Sequence, residues 1–83
     1  MVFVKEAIRK LKDYQVKDKE EEFAIDLLIK KINRTNDSIE ICMSKAADEF
    51  AQIMYSERPD TLWLIRRATV EFYNDILGAE NEN

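Results

Sequence analysis

The chain has no histidine, and only one glycine, one proline and one cysteine among its 83 residues. Each shortage closes a class of chemistry or structure. Without histidine there is no imidazole to serve as general acid or base near neutral pH, and no histidine-containing zinc site. The Glu-x-x-His pairs that hold di-iron in helical bundles are also missing. One glycine cannot make a glycine-rich phosphate loop. The lone Cys42 has no partner for an internal disulfide. No apolar run is long enough to cross a bilayer and no signal peptide opens the chain, so a cytoplasmic location is expected. Basic residues are outnumbered, 13 Lys and Arg against 17 Asp and Glu, for a formal net charge of −4. A general nucleic-acid binder usually carries the opposite balance.

Few turn-makers and many Ala, Leu, Ile, Lys, Glu and Arg residues argue for a nearly all-helical chain. Strand-like alternation occurs only in Met1-Val2-Phe3-Val4, and a strand there would need a partner, most simply from a second copy. The chain makes one domain, which buries roughly 60–65% of its unfolded surface.

The clearest helix begins at Ser38. At about 100° per residue, Ile39, Cys42, Met43, Ala46, Ala47, Phe50, Ile53 and Met54 form one apolar stripe. Asp37 or Ser38 caps its start, with Glu40 three residues after Asp37 as in a capping box. Upstream, Val4, Ala7, Ile8 and Leu11 mark a first helix, with Phe3 and Tyr14 at its edge. A break is expected at residues 15–18, where Asp18 and Glu21 open a second helix. In that helix Phe23, Ala24, Ile25, Leu27, Leu28, Ile29 and Ile32 cover more than half the circumference. It is therefore either central to the domain, or Ile25 and Ile29 meet another molecule. Pro59 limits the third helix, Asp60 offers a cap to the fourth, and Leu62, Ile65, Thr69, Phe72, Tyr73 and Ile76 face inward from it. Gly78 is a natural stop. The expected architecture is an all-α, compact antiparallel four-helix bundle with helices near 2–14, 19–33, 38–57 and 61–77, a domain over 1–78, and a disordered acidic tail at 79–83.

Candidate chemistry is thin. Asp48 with Glu49, and Glu71 with Asp75, are the carboxylate pairs to consider for a divalent cation, but no third or fourth oxygen ligand converges on either. Cys42 lies within an apolar stripe and reads as a small core residue rather than a nucleophile. No enzymatic activity, metal or cofactor is expected. Lys5, Arg9, Lys12 and Lys17 offer a basic line for the phosphates of nucleic acid or of an anionic membrane, weakened by the i,i+4 pairs Glu6–Lys10 and Arg9–Asp13. A helix-turn-helix does not fit, because the second helix is apolar nearly all round.

The more informative surplus lies on the last helix. Trp63, Val70 and Leu77 recur every seven residues on a second face, flanked by Arg66, Arg67 and Asn74. Tryptophan and arginine beside aliphatic residues are enriched at binding hot spots. This face is either packed inside the bundle or open to a partner or a second copy. Ile41 and Tyr55, with Asp48 between them, raise the same question on the third helix.

The helix count, the chain length and the stretch Glu71-Phe72-Tyr73-Asn74-Asp75-Ile76 resemble the immunity proteins of class IIa bacteriocins. The resemblance implies a cytoplasmic four-helix bundle that protects its own cell through a membrane receptor complex. That is one instance of the expected function, a non-enzymatic inhibitor, adaptor or regulator that binds another protein, with homodimerisation open. The alternative is a binder of nucleic acid or anionic membrane.

Overall fold

The computed structural model describes residues 3–55 and 57–78. The expected tail at 79–83 lies outside these residues, as do positions 1, 2 and 56. Four helices follow in order: α1 (Val4–Asp13), α2 (Lys19–Arg34), α3 (Ile39–Tyr55) and α4 (Pro59–Leu77). Each packs on its neighbour in sequence, and α1 closes the ring against α4. The result is an antiparallel four-helix bundle with no strand among the described residues.

The helix ends show how short-range chemistry sets the boundaries. Asp18 accepts the Glu21 amide at 2.9 Å, and the Glu21 carboxylate reaches back to the Lys17 amide at 2.9 Å. This reciprocal cap breaks α1 from α2 without glycine or proline. At α3 it is the Ser38 hydroxyl that accepts the Ile41 amide, at 3.3 Å. The pairing of Asp37 with Glu40 is therefore not used, and Asp37 binds Lys45 at 2.7 Å instead.

Two expected boundaries are corrected. Helix α3 stops at Tyr55 rather than 57, and α4 starts at Pro59 with Arg58 in the cap position, so Asp60 sits in the first turn and is not the cap. The cause is proline. It pushes Arg58 to an extended backbone (φ −127°, ψ 94°), and its own fixed φ and missing N–H suit the first helical position. Gly78 ends α4 at negative φ, so it does not use the left-handed cap that glycine permits.

The core joins Ala7 and Leu11, Ala24, Leu27, Leu28 and Ile32, the stripe from Cys42 to Phe50, and Tyr73 and Leu77. Tyr73 is 0% exposed, and its hydroxyl donates to the Ala24 carbonyl at 2.8 Å. The α3 stripe turns near its end. Ile53, expected inside, is 55% exposed, and Ala51 is buried instead.

Helix α1 is the short member of the ring. At 10 residues it spans about 15 Å, against about 28 Å for the 19 residues of α4. Lys10 donates to the Leu77 carbonyl at 3.4 Å, and the Tyr14 ring meets Phe72 edge-on at 5.5 Å. Thus α1 covers the C-terminal half of α4 and leaves the N-terminal half beyond its reach.

Candidate interaction surface

Every buried side-chain nitrogen or oxygen among the described residues has a hydrogen-bond partner. No orphaned polar group among the described residues marks a pocket for a small polar ligand.

The two stripes left open by the sequence meet at one seam. Arg66, projecting from α4, donates through Nε to Asp48 and through Nη2 to Ser44, both on α3. Asp48 is the residue midway between Ile41 and Tyr55. Because α3 and α4 are antiparallel, this register sets Ile41 toward Val70 and Tyr55 toward the start of α4. Trp63 is 58% exposed on the same flank, and the Arg67 guanidinium lies 5.6 Å from the centre of its ring. Arg67 also pairs with Glu71 at 3.4 Å. The two arginines therefore differ: Arg66 ties two helices together, whereas Arg67 lies over an exposed indole.

The stripe Trp63–Val70–Leu77 does not stay on one side. Val70 is half-buried against the core and Leu77 is 2% exposed. A seven-residue repeat drifts by about 20° per heptad on an α-helix, here toward the interior, so only its N-terminal end reaches solvent. Leu77 belongs to the core, and the accessible part of the face is Trp63 and Arg67 with the edge of Val70.

Ile25 is 5% exposed and Ile29 is half-buried, both packed within the chain's own core, so α2 is flanked from inside the bundle. Lys5, Arg9, Lys12 and Lys17 are all exposed, with Arg9 on Asp13 at 3.5 Å. Asp48 is engaged by Arg66, Glu49 by Lys31 at 2.7 Å and Glu71 by Arg67. No group of three or more His, Cys, Asp or Glu among the described residues is placed to hold a metal ion. Cys42 is buried with its sulfur 3.4 Å from the Thr35 hydroxyl. No helix among the described residues is long and apolar enough to cross a membrane.

One feature escaped the sequence. On the other flank of α4, beyond the end of α1, an open groove of about 320 Å³ lies between the first turn of α2, the last turns of α3 and the N-terminal half of α4. Phe50, Met54, Tyr55, Ile65 and Phe72 give it an apolar lining, and Asp18, Glu20 and Glu21 stand at its α2 side. Its walls are separated by tens of residues in the chain, so no local pattern announces it. The one sequence hint among the lining residues is Tyr55, singled out on the outer side of the third helix and 44% exposed.

No protein-family model matches the chain, and no curated protein or solved structure is found to be similar to it.

Proposed function

We propose that this chain is a non-enzymatic module that binds another protein through the outer face of α3 and α4, acting as an inhibitor, adaptor or regulator by covering part of its partner. The observation that carries this reading is Trp63, 58% exposed with Arg67 over its ring. Single exposed apolar residues are ordinary. Here Ile41 and Trp63 accompany one seam that Arg66 holds in a fixed register. A large amphipathic ring held on a rigid pair of helices loses little conformational freedom when a partner covers it, which favours such residues as binding anchors.

The test is a pull-down with the tagged chain from native host lysate, split into nuclease-treated and untreated halves. The expected result is one protein recovered near stoichiometrically in both halves and lost with Trp63→Ser or Arg67→Ser, while circular dichroism stays unchanged. Recovery that vanishes with nuclease would overturn the reading and move attention to Lys5, Arg9, Lys12 and Lys17.

A further inference from the structure

We propose that the groove beside α4 is a second docking site, separate from the Trp63 face, and that its occupant is a cationic amphipathic helix of another protein. Helix α1 ends at Asp13 and its chain crosses to α2, so the place it would fill along the N-terminal half of α4 is left empty. A helix laid there continues the ring of the bundle and puts its apolar side on Phe50, Met54, Ile65 and Phe72. The volume, about 320 Å³, falls at the lower end of the usual range for binding clefts, in keeping with a site that takes anchoring side chains of a longer segment.

Charge decides the kind of segment. Asp18, Glu20 and Glu21 stand at one side of the groove, and none of its lining residues is a lysine or arginine. The N-terminus of α2 adds about half a positive charge, and the exposed Lys17 and Lys19 flank Asp18 outside the lining, so the groups that face the groove itself are acidic. Lysines or arginines along one edge of the incoming helix would face these groups, which favours encounter and fixes the direction of binding.

A second copy of this chain is the poorer occupant. Its own basic helix is α1, but Ala7 and Leu11 of that helix are already buried, leaving only Phe3 and Val4 exposed at one end. That is less than the i, i+3, i+4, i+7 set of anchors that a groove of this type reads.

The experiment uses the full chain and a fluorescein-labelled amphipathic helical peptide of leucine and lysine, about four turns long, read by fluorescence anisotropy. Saturable binding is expected, weaker at higher salt and undetectable with the leucine–glutamate counterpart. Ala68→Trp, at an exposed helical position lining the groove, should fill it and weaken binding by about tenfold or more, and Glu20→Lys should act in the same direction. Two controls distinguish docking in the groove from attraction to the chain's net negative charge and from binding at the Trp63 face. Glu40→Lys makes the same charge change at the opposite end of the bundle and should leave binding within about twofold. Trp63→Ser should leave it unchanged, so that failure of the groove and failure of the α3–α4 face can be told apart. Equal weakening by Glu40→Lys would overturn the proposal by showing general charge attraction, as would wild-type affinity in Ala68→Trp. Concentration-dependent self-association abolished by Ala68→Trp would also overturn it, by showing a second copy in the groove.

Discussion

Tyr73 shows how one residue links distant parts of the chain. Its ring is in the core and its hydroxyl closes on the Ala24 carbonyl, 49 positions away in sequence. Removing that hydroxyl as Tyr73→Phe is expected to cost about 1 kcal/mol in a urea titration. Burial, and secondarily the charge of Glu49, push the phenol above its ordinary value of 10.0. This fixes the sign of the pH effect. The unfolded chain releases this proton first as pH rises through about 10, so the folded state binds more protons there and stability falls with pH. Below that pH the contribution is flat. Stability curves of the wild type and Tyr73→Phe should therefore run parallel at neutral pH and converge above a pH of about 10. Composition marked Arg66 as a binding residue beside Arg67, yet its guanidinium is occupied by Asp48 and Ser44. Only a partner from another helix could reveal that.

At the scale of the element, the helices were legible because their signals are local. Apolar spacing gave all four, and the Asp18–Glu21 cap appears where the residue types placed it. Asp18→Ala should remove one cap bond and the charge that complements the helix start, costing about 1 kcal/mol. Hydrogen exchange should then show faster opening of the first turn of α2 than of its middle. The misplaced boundaries have equally local causes. The proline rule forbids helical geometry just before Pro59 but permits a helix to start on it, and Asp60 competed for the same role in the sequence. At Asp37 and Ser38 two capping residues stood side by side, and Ser38 prevailed while Asp37 took Lys45.

At the scale of the molecule, what matters is which apolar faces the bundle covers. The chain's single tryptophan is Trp63, so its fluorescence reports on one face alone. Acrylamide should quench it nearly as well as it quenches a free indole, unchanged on dilution, and the partner recovered by pull-down should shield it. Protection in the isolated chain that is lost on dilution would instead mark a homodimer through that face. Periodicity, capping and composition act over a few neighbouring residues, and they sufficed for the all-α class, the number and approximate limits of the helices, and the absence of histidine chemistry. The interior positions of Ile25 and Leu77, the exposure of Trp63 and Ile53, the bridge from Arg66 to Asp48 and the groove beyond α1 emerged only in the assembled bundle. Those outcomes depend on the relative lengths and lateral packing of helices far apart in the chain. A helical repeat shows that a face is apolar, but whether it is covered depends on where the neighbouring helix ends.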